Sequence, residues 1–349
     1  MTARDRIDGV LVLDKPIGPS SAQALGRARW LIGAAKAGHG GTLDPLASGL
    51  LPVLLGEATK FSDDLLVADK TYEACIRLGI STTTADAEGQ WLTWAPAPED
   101  EAAIRNACAE FVGRIIQVPP AYSALKKDGR PLYEYARAGI AVDVPSREVQ
   151  VHSLDVLRIG PLQGLPMTSD AGAPIAADAH AHAGVQAGAE NLEPALDAEV
   201  LVRDVWIRVD CSKGTYIRTL AADLGSRLGC GAHLAGLRRT RVGELSIAQS
   251  ISLDALEALS GRSERRARLA PVDSLLGSIR RIDLDTIAAQ RFCHGQLVPM
   301  PADMPLQSES TTIPRLRIYG GDRLLGLAVP HAGMIKPLRL MSTAPIRPS

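Results

Sequence analysis

Residues 38–49 read Gly-His-Gly-Gly-Thr-Leu-Asp-Pro-Leu-Ala-Ser-Gly, which sets one acid, Asp44, among four glycines and a proline, close behind a histidine. Pro45 disfavours helical dihedrals at the residue before it, so Asp44 is expected to lie extended on a loop. Gly38, Gly40, Gly41 and Gly49 permit close backbone approach and positive φ around it. A carboxylate presented in this way is suited to act on a bound ligand, although a solvated Asp-Pro turn has the same local composition.

Three further groups of residues have chemical potential. Lys70-Thr71-Tyr72 opens an alternating segment with an aromatic that serves either a core or a ligand platform. Ser212-Lys213-Gly214-Thr215-Tyr216-Ile217-Arg218-Thr219 reads as a strand-to-helix turn with a tyrosine and an arginine in its first helical turn. A cation there opposes the helix macrodipole, so Arg218 is expected to have an anionic partner. Gly236-Leu237-Arg238-Arg239 places an apolar side chain beside two guanidinium groups. Cys211 ends a strand and is read as core, not as a nucleophile.

The surrounding elements are legible from pattern. The apolar run at 10–13 predicts a buried strand, and Ser20 or Ser21 can cap a helix to about residue 32, stopped by Gly33. Tyr72, Ala74, Ile76 and Leu78 alternate as one face of a half-buried strand. Helices are expected at 99–112 and at 132–138 before Gly139, and strands at 147–159 and 201–211. Leu220, Leu224 and Leu228 mark an amphipathic helix over 215–228, closed by Gly229. Strands and helices alternate without a βαβ rhythm, so the class is α+β. Beyond about residue 278, short strands at 315–318, 323–328 and 338–341, separated by Gly320-Gly321 and Pro330, predict a β-rich module. The expected division is 1–278 and 279–349.

Composition narrows the function classes. The chain has 349 residues, 46% of them hydrophobic and 22% charged, which is ordinary globular usage. No apolar run is long enough to cross a bilayer, and the first residues lack the apolar core of a signal peptide. Five cysteines, at 75, 108, 211, 230 and 293, form no Cys-x-x-Cys pair and suit a reducing cytoplasm. The net charge of −1 conceals an uneven distribution. Residues 160–200 carry six acids and no Lys or Arg, and removing them shifts the balance from −1 to +5. That stretch is rich in Ala, Gly, Pro and His and reads as a flexible surface insertion in a hairpin connection, with His180 and His182 a weak metal signal. The basic residues cluster at 126–130, 238–241 and 262–268, which is compatible with a polyanion partner or with solvated faces.

Taken together, the motifs resemble the TruB family of tRNA pseudouridine synthases. The segments that carry the resemblance are Leu13-Asp14-Lys15-Pro16, the Asp44 loop from Gly38 to Pro45, and Pro119-Pro120-Ala121-Tyr122-Ser123-Ala124-Leu125-Lys126. Leu132-Tyr133-Glu134-Tyr135-Ala136-Arg137, the run from Cys211 to Leu220, Gly229-Cys230-Gly231-Ala232-His233-Leu234 and Leu237-Arg238-Arg239 continue it in the family's order. The resemblance implies a pseudouridine synthase fold with a mixed, largely antiparallel central sheet and a C-terminal module similar to a PUA-type RNA-binding domain. It implies isomerisation of uridine 55 in the tRNA T-loop, with the T-arm as partner, no obligate protein partner, no membrane, a cytoplasmic location and neither metal nor cofactor. Asp44 matches the catalytic aspartate, and adds to C1′ or C6 or removes a proton. Arg218 matches the arginine that pairs with it. Tyr72 would stack on the flipped base, Tyr216 handle the C5 proton and Leu237 form an apolar wall. His39 resembles the residue that fills the space the base leaves. Lys15, Lys126, Arg238 and Arg239 are assigned to RNA binding. At Gly40 many members carry threonine, and the exchange is expected to loosen His39. Two other classes fit less well: a tRNA-binding chaperone with the same RNA surface has no need of the Asp44, Tyr72 and Arg218 set, and a hydrolase using His39 and Asp44 lacks an orienting third residue.

Overall fold

The apolar run at 10–13 lies inside strand β1 (Gly9–Lys15), and Val10, Leu11 and Leu13 are fully buried. It belongs to a computed structural model that describes residues 5–166, 199–301 and 314–342. The acidic stretch at 160–200, with His180 and His182, falls almost wholly outside the described residues. Helix α1 (Ser21–Ile32) begins at a capping box. Ser20 accepts from the Gln23 amide, and the Gln23 side chain accepts from the Ser20 amide. The helix ends at Gly33, whose φ of 78° supplies the left-handed cap.

The chain continues through β2 (Ala37–His39), β3 (Ala47–Leu55), α2 (Ser62–Val67), β4 (Lys70–Leu78), α3 (Glu101–Ala109), β5 (Gly113–Gln117) and α4 (Leu132–Arg137). It then forms β6 (Arg147–Ile159), β7 (Glu199–Cys211), α5 (Ile217–Arg227) and β8 (Ala232–Val242). The main sheet runs from a short strand at Ile251–Ser252 through β1, β3, β8, β4, β7 and β6 to β5. Its pairings are antiparallel except for β1 with Ile251–Ser252 and β8 with β3. The sheet is therefore mixed and largely antiparallel, in an α+β fold, as the sequence implied.

Alternation predicts burial well here. Ala74, Ile76 and Leu78 of β4 and Val205, Ile207 and Val209 of β7 share one core with Leu220, Ala221 and Leu224 of α5. Two helices are shorter than the pattern suggested. Asp100 caps α3, which stops at Ala109 because β5 begins at Gly113. Helix α5 starts at Ile217 because Tyr216, at φ −102° and ψ 114°, is still extended.

A second sheet comprises β9 (Arg280–Leu284), β10 (Val298–Pro299), β11 (Leu316–Gly320), β12 (Arg323–His331) and β13 (Met334–Leu340), in the order β9-β11-β12-β13-β10. Helix α6 (Thr286–Cys293) buries Ala289 and Phe292 against it. Pro330 does not break the chain as expected. The pairing of β11 with β12 ends at Leu316–Ala328, so no partner on that side needs the missing proline amide. The turn falls at Ala332-Gly333, both at positive φ, which closes a two-residue hairpin and starts β13 four residues earlier than its apolar stretch suggested.

Candidate active site

The loop between β2 and β3 is anchored from three directions before Asp44 can act. From α1, the Ser21 hydroxyl donates to the Leu43 carbonyl at 2.9 Å and accepts from the Leu43 amide at 2.7 Å. From β8, Arg239 donates to the carbonyls of Leu50 at 2.8 Å, Gly41 at 3.2 Å and Thr42 at 3.4 Å. From the loop after β1, the Gly18 amide donates to the Pro45 carbonyl at 2.9 Å. Gly49 makes the β3–β8 approach possible, since a Cβ there would lie 2.3 Å from the Arg239 carbonyl oxygen. Gly40 serves space instead of dihedral freedom, because a Cβ would meet the Leu65 Cδ1 at 2.4 Å. Leu65 thus fills the room that a threonine would take, and the Gly40 amide donates to the Pro52 carbonyl at 3.0 Å, beside the pairing of the His39 strand with β3.

Arg218 projects from the first turn of α5 onto this loop. Its Nη2 lies 3.0 Å from an Asp44 carboxylate oxygen, and its Nη1 lies 3.4 Å from Asp86. The guanidinium also donates to the Tyr122 carbonyl at 2.6 Å and the Thr84 carbonyl at 3.2 Å. Four oxygens thus hold a cation that is only 7% exposed, whereas Asp44 is 45% exposed and open to a ligand. The anionic partner expected for Arg218 is therefore double. Asp86 carries no signal in the sequence, because its Thr-rich turn resembles a surface loop. The turn is pinned to β8, with Leu234 donating to the Ala85 carbonyl and Ala87 to the Leu234 carbonyl, and Ala85 takes a positive φ of 58° to aim it.

Asp44, Tyr72, Tyr216, Arg218 and Leu237 come together in one pocket of about 350 Å³. Lys70, Leu66, Ser123 and Leu125 also line it. Burial pushes the phenol pKa values of Tyr72 and Tyr216 up, so both keep their protons near neutrality. The Gln117 side chain accepts from the Tyr216 amide at 3.0 Å and donates to its carbonyl at 3.3 Å, which fixes the start of α5. Lys70 donates to the carbonyls of Leu65, Leu66 and Ala68 at 2.6–2.9 Å, and burial lowers its pKa to about 8. Cys211 is buried and its thiol is pushed up to about 12, which makes it inert, in keeping with its core reading.

The basic residues divide. Lys126 is exposed on a short hairpin beyond the pocket rim. Arg238 stays 41% exposed while forming a bidentate pair with Asp14 at 2.7 and 3.1 Å. Lys15 and Arg239 must be reassigned. Lys15 is fully buried and donates to the carbonyls of Pro16 and Pro19, both at 2.8 Å, so it is not available to a phosphate. Arg239 is 2% exposed and its donors are engaged in the Asp44 loop. In the 262–268 cluster, Arg265 and Arg266 donate to main-chain carbonyls of 31, 32, 256, 257 and 259. His39 does not line the pocket. Its buried Nδ1 has no partner among the described residues, and burial, with Arg239 nearby, lowers its pKa and keeps the ring neutral.

The chain also matches known proteins in sequence and in fold. Residues 29–167 match the family model for the TruB family pseudouridylate synthase N-terminal domain. Residues 218–277 match the tRNA pseudouridylate synthase B C-terminal domain, and 281–341 match the pseudouridine synthase II TruB C-terminal model. A tRNA pseudouridine synthase B from Burkholderia mallei (strain NCTC 10247) is 49% identical over 342 residues, covering 98% of this chain and 99% of that protein. One from Ralstonia nicotianae is 48% identical, covering 97% and 95%. Among solved structures, a chain of a Cbf5-Nop10-Gar1 complex superposes with a TM-score of 0.63 at 26% identity, over 95% of this chain and 84% of that one.

Proposed function

Since the chain belongs to the TruB family of pseudouridine synthases, we propose that it isomerises uridine 55 in the T-loop of tRNA to pseudouridine, with the T-arm as the recognised element. The reaction breaks the C1′–N1 glycosidic bond, turns the uracil and rejoins it through C5, with no net gain or loss of protons. A paired base inside a folded loop is out of reach of a side chain, so the nucleotide must first swing out, at a cost of a few kcal/mol. The Asp44 pocket receives it. Tyr72 offers a face for stacking, Leu237 an apolar wall, and Asp44 an ionised carboxylate held by Arg218 at 3.0 Å. Whether the carboxylate adds to C1′ or C6 or first removes a proton, it must be charged and immobile. The guanidinium holds it in place through a charge-assisted hydrogen bond. Tyr216, protonated near neutrality and facing the same pocket, is suited to relay the C5 proton, giving up its own proton to N1 as it takes up the one that C5 loses.

The observation that carries this reading is the pairing of a half-exposed carboxylate with a buried guanidinium on the wall of a pocket lined by two tyrosines. Lys126 and Arg238 remain the candidates for phosphate contacts, and His39 for the space vacated by the base. The second sheet, which opens at Arg280, supports a division at 278/279 into a catalytic unit and a PUA-like RNA-binding module. The proposed location is the cytoplasm, with the tRNA; among the described residues, no helix is long and apolar enough to cross a membrane. Asp44→Asn should abolish pseudouridine formation in a tRNA transcript and leave tRNA affinity within about tenfold, roughly 1.4 kcal/mol. Mapping pseudouridine after treatment with the purified variant tests this, and turnover near wild type would refute it.

A further inference from the structure

Helix α2 is gripped on both sides. On its inner side, Leu66 lines the Asp44 pocket, and Leu65 packs against Gly40 beside His39. Pocket-lining Lys70 holds the carbonyls of Leu65, Leu66 and Ala68. On its outer side, the second sheet supplies the contacts. Arg315, just before β11, forms an ion pair with Asp64, and Arg339 of β13 lies 3.8 Å from Asp63. One turn earlier, Lys60 donates to the Leu340 carbonyl at 2.8 Å. Leu65 shares a core with Tyr319, Leu324 and Leu327 of the second sheet. A cavity of about 100 Å³, bordered by Asp64, Leu65, Ala68, Ser274 and Arg315, lies beside the helix. Beside that cavity the Asp64–Arg315 pair adds a polar contact to the apolar one that Leu65 makes with the second sheet.

We propose that Asp64 and Arg315 are positioning residues for catalysis. Through them the C-terminal module holds α2 against the Asp44 pocket and sets the wall that Leu66 and Lys70 provide. The module thus acts on the rate of the chemical step as well as on RNA binding. This rests on the reading of the Asp44 pocket as the reaction centre. It goes further by joining that pocket to a sheet whose strands contribute none of its lining residues.

The test is a charge reversal on the full chain: Asp64→Lys, Arg315→Asp and the two combined, with Arg315→Ala as a milder variant at a 40% exposed side chain. Single-turnover rates at saturating enzyme and tRNA affinity are measured separately. Each single variant is expected to slow the rate about fivefold, the scale of one partly exposed ion pair, with affinity kept within about twofold. The double reversal is expected to recover most of the rate, as a coupled pair requires. Single variants that keep the wild-type rate, or that lose affinity alone, would overturn the proposal. So would a double variant no faster than the slower single one. An inactive Asp44→Asn together with unchanged rates in the charge variants defeats only the link to the second sheet. An active Asp44→Asn removes the reaction centre itself, and this inference with it.

Discussion

Asp44 and Asp86 bind the two terminal nitrogens of the same guanidinium and differ in their access to water. The Asp44 side chain is 45% exposed, and that of Asp86 is 5% exposed. Arg218 keeps one carboxylate in either variant, but removing Asp86 also orphans the Glu88 amide and the Thr84 hydroxyl that donate to it, each unmade buried hydrogen bond costing about 1–3 kcal/mol, whereas a partly exposed pair contributes about 1 kcal/mol or less. Asp86→Ala should therefore lower stability in urea titrations by several times as much as Asp44→Ala. Asp44→Ala should abolish turnover while melting close to the wild type. Equal destabilisation by the two would mean that Arg218 is not buried against Asp86 in solution. The two acids thus divide the cation's contacts between a buried side and one open to the pocket.

The two serines at the start of α1 show how one element serves two ends. Ser20 caps the helix, and Ser21, one residue on and buried, clamps both polar groups of Leu43 next to Asp44. Capping side chains contribute about 1 kcal/mol, so Ser20→Ala should cost that much and leave the turnover rate unchanged. Ser21→Ala orphans a buried amide and carbonyl, which costs about 1–3 kcal/mol, and frees the residue beside Asp44. Its turnover should fall more than its affinity for tRNA. Steady-state kinetics and thermal melts of the pair check this, and an unchanged turnover number in Ser21→Ala would separate α1 from the site. Strand β3 supports the same loop from its other end, through the close backbone contact that Gly49 allows.

At the scale of the molecule, charge clusters in the chain are poor guides to an RNA surface. Many of the arginines at 238–241 and 262–268 are bound to carbonyls or acids of the fold. Local charge runs report which residue types are adjacent, and burial decides whether they meet solvent. The acids of 168–197 lie outside the described residues, yet β6 and β7 pair directly without them, from Val151–Cys211 to Ile159–Val205. Deleting 168–197 removes five acids and no base, changing the net charge from −1 to +4. The shortened chain should keep its turnover rate and bind tRNA at least as tightly, since phosphate attraction grows with positive charge. Filter binding across a salt series tests this, and a folded but inactive deletion would assign the stretch a role in the reaction.

The Asp44 loop, the alternating faces of β4 and β7, the cap of α1 and the family itself were legible in the chain. Each rests on short-range pattern, through dihedral limits at proline and glycine and the periods of strand and helix. The tertiary structure alone decided that Asp86 backs Arg218, that Lys15 and Arg239 face inward, that Leu65 takes the space beside Gly40, and that the second sheet grips α2. Those facts depend on which distant segments exclude water from one another. The partners of Arg218 lie 134 and 96 residues away at Thr84 and Tyr122, beyond the reach of any local periodicity.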